Sequence, residues 1–139
     1  MSTELYVFMH DAEVPSRDEW QQAIEQAGFP TLLDESITLR DEAGNCDASY
    51  KGQTANFELH LVPADSVLHQ YDSIERPVDG RDTCVTFRWS EGDANENGAV
   101  LSSAAALTKV IDGICYDPDR DMIYRSDDVV EEFRKKLQA

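Results

Sequence analysis

The side chains best placed to do chemistry alternate along two apolar runs. In residues 57–62, FELHLV, Phe57, Leu59 and Leu61 share one parity, and Glu58, His60 and Val62 share the other. In residues 84–89, CVTFRW, Val85, Phe87 and Trp89 alternate with Cys84, Thr86 and Arg88. A period of two puts successive side chains on opposite faces of a strand. If the two strands are neighbours, Glu58, His60, Thr86 and Arg88 form one polar patch, a candidate ligand-binding surface. Glu58 can pair with Arg88 across the strands, with the imidazole of His60 on the same face. A solvated antiparallel face with ordinary cross-strand pairs leaves the same signature, and a ligand cup also needs concave walls.

A second candidate lies toward the C-terminus. Between Asp112 and Glu132 stand eight carboxylates, opposed only by Arg120 and Arg125, with Tyr116, Met122 and Tyr124 interleaved. Tyrosine is favoured where interfaces concentrate their binding energy. Tyr116, Asp117, Asp119, Asp121, Tyr124 and Asp128 therefore make a candidate surface for a basic partner protein. The competing reading is a solvated turn and helix whose tyrosine rings pack on the core.

Metal and nucleophile chemistry find less support. Asp93, Asn95, Asn97 and Gly98 match the opening of a calcium loop, but the closing position holds Ala104. Asp117, Asp119, Asp121 and Asp128 have the same spacing, with Met122 where glycine is required. Turn formation and helix capping account for both clusters, so no metal site is expected. Cys84 and Cys115 fall in predicted strands, where burial blunts a thiol. Cys46 follows a turn and reads as the exposed thiol. His10, His60 and His69 join no motif, and no glycine-rich loop follows a strand, so no cofactor is expected.

The chain has 28 acidic against 12 basic residues, a net charge of −16. That balance excludes nucleic-acid or anionic-membrane binding through a basic face, and it speeds association with a basic partner. At 139 residues, 41% of them hydrophobic, the chain reads as a single globular domain over 1–139. No apolar run reaches the ~18 residues of a membrane span. The opening Met-Ser-Thr-Glu lacks a basic stretch and a long apolar stretch, so no secretory signal is expected. Three cysteines, an odd count, read as reduced thiols in a cytoplasmic protein.

The elements that must position these residues are legible as patterns. Leu5–Met9 is apolar on both faces, as a central strand would be. Ser16 and Glu19 form a capping box ahead of Trp20, Ala23, Ile24 and Ala27, and Gly28 closes that helix. A strand is expected in Thr31–Arg40, with Ile37 and Leu39 inward, then a turn over Asp41–Asn45 and a short polar strand in Cys46–Lys51. Asp65 is expected to cap a helical turn in Ala64–Tyr71, and Asp72–Asp82 reads as a charged, flexible loop. From about Asn97, Val100, Leu101, Ala104, Leu107, Thr108 and Ile111 trace one helical stripe, ended by Gly113 in the left-handed conformation. A hairpin of Ile114–Tyr116 with Met122–Tyr124 and a last helix capped by Ser126 complete the chain. The strand–helix–strand unit from Cys84 to Asp117 suggests a crossover, with an antiparallel return as the alternative.

The fold expected is α+β: one domain with a mixed, mainly antiparallel sheet and two or three helices packed largely on one face. The function expected is non-enzymatic. An acidic domain, such as a bacterial immunity or antitoxin protein, would sequester a basic partner. The alternative is a small-molecule-binding or minor enzymatic domain using the polar sheet face. Mimicry of DNA is a third class, for which the acids look too dispersed.

Overall fold

The computed structural model describes residues 2–40, 43–71, 74–90 and 92–138. It is a single-domain α+β fold built on two antiparallel sheets. In chain order the elements are β1 (Ser2–Met9), a 3-10 turn (Asp11–Glu13), α1 (Arg17–Gln26), β2 (Thr31–Leu33), β3 (Ala43–Cys46), β4 (Ala48–Tyr50) and β5 (Gln53–Thr54). There follow β6 (Phe57–Pro63), α2 (Asp65–Leu68), α3 (Glu75–Val78), β7 (Thr83–Ser90), α4 (Ala94–Val110), β8 (Ile114–Asp117), β9 (Met122–Arg125) and α5 (Val129–Gln138).

The larger sheet has the order β3-β6-β7-β1-β8-β9, and β2-β4-β5 form the smaller one. Every described pair is antiparallel. Because β7 and β8 both run antiparallel to β1, they run parallel to each other, and α4 connects them across β1. The crossover alternative is therefore the one adopted. β1 is central, as its two apolar faces require.

The inner face of the large sheet carries Leu5, Val7, Leu59, Val85, Phe87 and Cys115 against α1, α4 and α5. Small residues let α4 lie deep: Ala99, Ser102, Ser103, Ala104, Ala105 and Ala106 are all buried. The Trp20 indole donates to the Ser103 carbonyl at 2.9 Å, tying α1 to α4. Gly98 of α4 admits the Tyr50 ring from the small sheet, where a Cβ would collide. The capping box is formed, with Glu19 N–H donating to Ser16 Oγ at 3.1 Å and Ser16 N–H to Glu19 Oε1 at 3.0 Å. Gly28 adopts φ 80° at the end of α1.

Several local expectations are corrected. The strand expected within Thr31–Arg40 is present as β2, but it ends at Leu33, and Ile37 and Leu39 are buried alternately without forming a strand; the turn is held by Ile37 N–H to the Asp34 carbonyl and Ser36 N–H to the Asp34 carboxylate. Gly44 and Asn45 lie in β3, while Asp41 and Glu42 fall outside the described residues. Asp65 is the first residue of α2 and Ala64 takes the cap position. The stretch read as a charged loop contains α3, with Ile74 and Val78 buried. α4 starts three residues earlier than the pattern suggested, because Asp93 accepts from Asn95 and Glu96 N–H, both at 3.0 Å. The calcium-like 93–98 stretch is thus a helix start. Asp112, not Gly113, takes the left-handed position, at φ 50°. Gly113 is needed because a Cβ there would lie 2.7 Å from the Phe8 carbonyl oxygen. Finally, α5 starts at Val129, and Asp128 rather than Ser126 accepts its first backbone bond, from Glu132 N–H. Ser126 instead donates to the Asp112 carboxylate.

Candidate functional site

The register places the four sheet residues as the alternation predicted. Glu58 is opposite Arg88 and His60 opposite Thr86 on β6 and β7, all facing away from α1, α4 and α5. Arg88 Nε stands 3.8 Å from Glu58 Oε2, with both side chains about half exposed. Such a pair contributes roughly 0–1 kcal/mol. Thr86 Oγ1 donates to the His60 carbonyl at 3.4 Å, a long bond.

On the other side of β7, β1 sets Glu4 opposite Arg88 and Tyr6 opposite Thr86. Beyond β6, β3 sets Asn45 opposite Glu58. Asn45, Glu58, Arg88 and Glu4 therefore form one cross-strand row, with a carboxylate-bearing residue on each side of Arg88. His60, Thr86, Tyr6 and Tyr116 form the next row. The third row is apolar: Val62, Cys84, Phe8 and Ile114, covered by Ala64, Val67, Ile74 and Val78 from the α2–α3 segment. The outer face is thus covered at one end of the strands and polar at the other.

Three tyrosines mark the boundary. Tyr6 and Tyr116, 5% and 2% exposed, are buried with rings 6.5 Å apart and nearly parallel at 18°. The half-buried Tyr71 lies against both, at 5.8 and 5.3 Å between centroids. Tyr6 OH donates to Glu4 Oε2 at 2.5 Å, and Tyr116 OH donates to Asp121 Oδ1 at 2.7 Å. Burial, and after it the Glu4 and Tyr71 side chains, push the Tyr6 phenol far above its ordinary range. It therefore stays a donor at any physiological pH. Glu4, Tyr6 and Tyr71 were missed from sequence. Leu5–Met9 read as apolar throughout, and only pairing with β7 shows which of its residues share a face with Arg88.

The C-terminal candidate set divides. Asp117, 8% exposed, turns inward and accepts from Asp119 N–H at 3.0 Å and from Arg120 Nη1 at 3.0 Å, which shapes the β8–β9 turn. Tyr124 is buried with its ring 4.8 Å from that of Phe133, and burial pushes its phenol up. Tyr116 and Tyr124 thus do not present aromatic faces to a partner; their rings pack on the core. Asp119 and Asp121 are exposed at the turn, and Thr3 Oγ1 donates to the Asp119 carboxylate. Asp128 accepts from Arg125 N–H at 2.9 Å at the opposite end of the hairpin, separated by four residue pairs or roughly 10 Å. The turn end of the hairpin joins the polar end of the sheet through Tyr116–Asp121 and Tyr6–Glu4. The outer-face set is Glu4, Glu58, His60, Thr86 and Arg88, with Asp121 at its edge and the three tyrosines beneath; Asp119 is bonded by Thr3, which shares its parity with the inner-facing Leu5 and Val7, and lies at the strand end instead.

The thiols are placed against nucleophilic work. All three cysteines are buried without disulfides. Burial pushes Cys84 and Cys115 well above the ordinary thiol range. Cys46, expected to be exposed, has no exposed surface, because it points into the core beside Phe57. The imidazoles sit on separate elements: His10 after β1, His60 in β6 and His69 after α2. Among the described residues no His, Cys, Asp and Glu side chains converge as a metal site, and no helix is long and apolar enough to cross a membrane.

A cleft of about 420 Å³ opens on the opposite, helical side, with Ala23, Ala27, Val110 and Val130 among its lining. Its cations Lys109 and Arg134 are matched by Asp127 and Glu131, so it favours no charge. Comparison with protein-family models, with curated proteins and with solved structures yields no match to this chain.

Proposed function

We propose that this domain binds a basic protein through the polar end of its outer sheet face. The observation that carries this reading is the charge set there. Glu4 and Glu58 flank Arg88 on the half-exposed end of the outer face, and Asp121 lies at the edge of that face, bonded by Tyr116. The rest of the chain adds to the field, at −16 overall. Such a field accelerates encounter with a basic partner and rejects acidic ones. Binding rather than catalysis is supported by the buried, high-pKa thiols and the scattered imidazoles. In its most specific form the domain is an immunity- or antitoxin-type protein that sequesters a basic toxin, where fast association matters most.

Affinity capture with the tagged chain at low and moderate salt, read by mass spectrometry, supplies the candidate partner. The decisive measurement is the affinity of that partner for wild type and for Asp119→Lys/Asp121→Lys. The reading expects a loss of at least about tenfold, or about 1.4 kcal/mol. Unchanged affinity refutes it. Loss on His60→Ala/Arg88→Ala but not on charge reversal moves the site to a small ligand on the Glu58, His60, Thr86 and Arg88 patch.

A further inference from the structure

We propose that the cleft on the helical side binds a small zwitterion with an apolar body, such as an aliphatic amino acid or short peptide with both ends free. This site is separate from the outer sheet face and does not depend on the reading of that face.

The walls of the cleft are tied to one another. Arg134 of α5 donates to the Ala27 carbonyl at the end of α1, and Ser126, ahead of α5, donates to the Asp112 carboxylate just beyond α4. Arg134 and Ser126 both line the cleft, so its shape is set before a ligand arrives. The rest of the lining is short-chained where the helices meet, with Ala23 and Ala27 from α1 and Ala106 from α4. These leave about 420 Å³, within the roughly 300–1,000 Å³ of small-molecule sites. Val110 and Val130 add apolar surface. Val110 is 49% exposed, one of three large hydrophobic side chains so exposed among the described residues, and a ligand in the cleft would cover it.

The charges on the cleft balance in sign but are not all paired. Arg134 Nη1 lies 3.5 Å from Glu131 Oε2. Lys109 and Asp127 form no ion pair with each other or with any other described residue. The cleft thus offers a free ammonium and a free carboxylate beside an apolar wall. A simple cation is drawn to most of a surface at −16, but two cations and two anions here give neither sign an advantage. A zwitterion answers both unpaired groups: its carboxylate accepts from Lys109 Nζ, and its ammonium donates to the Asp127 carboxylate. Its side chains then cover Val110 and Val130.

The test titrates the full chain, ¹⁵N-labelled, with leucine and with leucyl-leucine. It then uses leucyl-leucine amide and Nα-acetyl-leucyl-leucine, each of which lacks one terminal charge. A free-ended probe should give saturable shifts at the amides of Ala23, Lys109, Val110 and Asp127. A response to either supports the site, and the tighter of the two gives the charge separation it accepts. Removing either terminal charge should weaken binding about threefold to fivefold, the scale of one exposed ion pair. The amide is the stringent comparison, because it is a cation and the net charge alone would favour it. Lys109→Gln should erase the preference for a free carboxylate and keep that for a free ammonium, and Asp127→Asn should do the reverse. Both side chains are exposed, so neither change disturbs the core. Ala23→Leu, which fills the cleft from a half-buried helical position, should abolish binding of every probe. No saturable shift with either free-ended probe overturns the proposal. So does equal binding of free and capped probes, or preferences that survive unchanged in the Lys109 and Asp127 variants.

Discussion

Replacing Tyr6 by Phe removes one hydroxyl and keeps a buried ring. At neutral pH the loss is the bond to the Glu4 carboxylate. Hydrogen bonds to charged groups contribute about 1.5–3 kcal/mol. Glu4 is half-buried and water can replace the phenol, so the lower bound, about 1.5 kcal/mol, applies. The difference should then shrink in alkali. The Tyr6 pKa is raised in the folded state by burial first and by Glu4 next. A raised pKa contributes stability that is fully present below the unfolded value and is lost as pH climbs above it. With an unfolded phenol near pH 10, wild type loses about 0.8 kcal/mol by pH 10.5 through this group, a loss the Phe variant lacks. The stability gap should therefore fall from about 1.5 to about 0.7 kcal/mol between pH 7 and 10.5. Urea unfolding of both chains at both pH values, followed by far-ultraviolet circular dichroism, measures it. Other titrating groups affect both chains alike and cancel in the difference. A gap that stays constant with pH would mean that the phenol ionises as freely in the fold as in the unfolded chain. No gap at pH 7 would mean that the bond to Glu4 contributes nothing.

Three further outcomes test the packing that holds the site in place. The buried Cys84 and Cys115 thiols have raised pKa values, so each should erode stability by up to about 1.4 kcal/mol per pH unit above about pH 8.5. Cys84→Ala should make the decline between pH 9 and 10 shallower by about 1 kcal/mol, and an identical decline in both chains would contradict the burial. Gly113→Ala forces a methyl against the Phe8 carbonyl in the centre of the sheet and should cost about 2 kcal/mol or more; an unchanged melting midpoint would show that β8 does not approach β1 so closely. Gly98→Ala would ordinarily strengthen a helix by up to about 1 kcal/mol. Here the new methyl meets the Tyr50 ring, so the variant should instead melt lower, and a higher midpoint would place Tyr50 away from α4.

Where one local rule acts alone, sequence and structure agree. Ser16 with Glu19 marks the start of α1, and Gly28 marks its end. Period two assigns Glu58, His60, Thr86 and Arg88 to one face, and the pairing of β6 with β7 brings them together. Disagreements arise where distant contacts decide. Ile37 and Leu39 alternate in burial as a strand would, but two turns carry them to the core. The 72–82 stretch is charged enough to read as a loop, yet Ile74 and Val78 are drawn onto the apolar row of the outer face. The carboxylates of residues 112–132 run close in sequence, but a four-residue hairpin sends Asp119 and Asp121 to one end and Asp128 to the other. Glu4 and Tyr6 enter the site because β1, from the far end of the chain, inserts between β7 and β8.

The division of the outer face bears on whether its polar end is more than a wetted sheet. An ordinary solvent-facing sheet leaves its acidic side chains free to move, and fixing one glutamate costs up to about 1.5–2 kcal/mol of rotamer entropy. In this face Glu4 and Asp121 are each held by a buried phenol whose ring belongs to the covered half. Tyrosine suits that boundary, since its body packs in an apolar layer while its hydroxyl reaches a polar one. The fold thus orders two carboxylates before any ligand arrives, and a cation that meets them is spared much of that entropy cost. Solubility would need only exposed charge. Orientation of charge by buried hydroxyls is what a recognition surface requires, and it predicts that Tyr6→Phe should weaken binding of the basic partner even at a pH where the variant is fully folded. An affinity for the captured partner that Tyr6→Phe leaves unchanged would reduce Glu4 to a solvated surface acid.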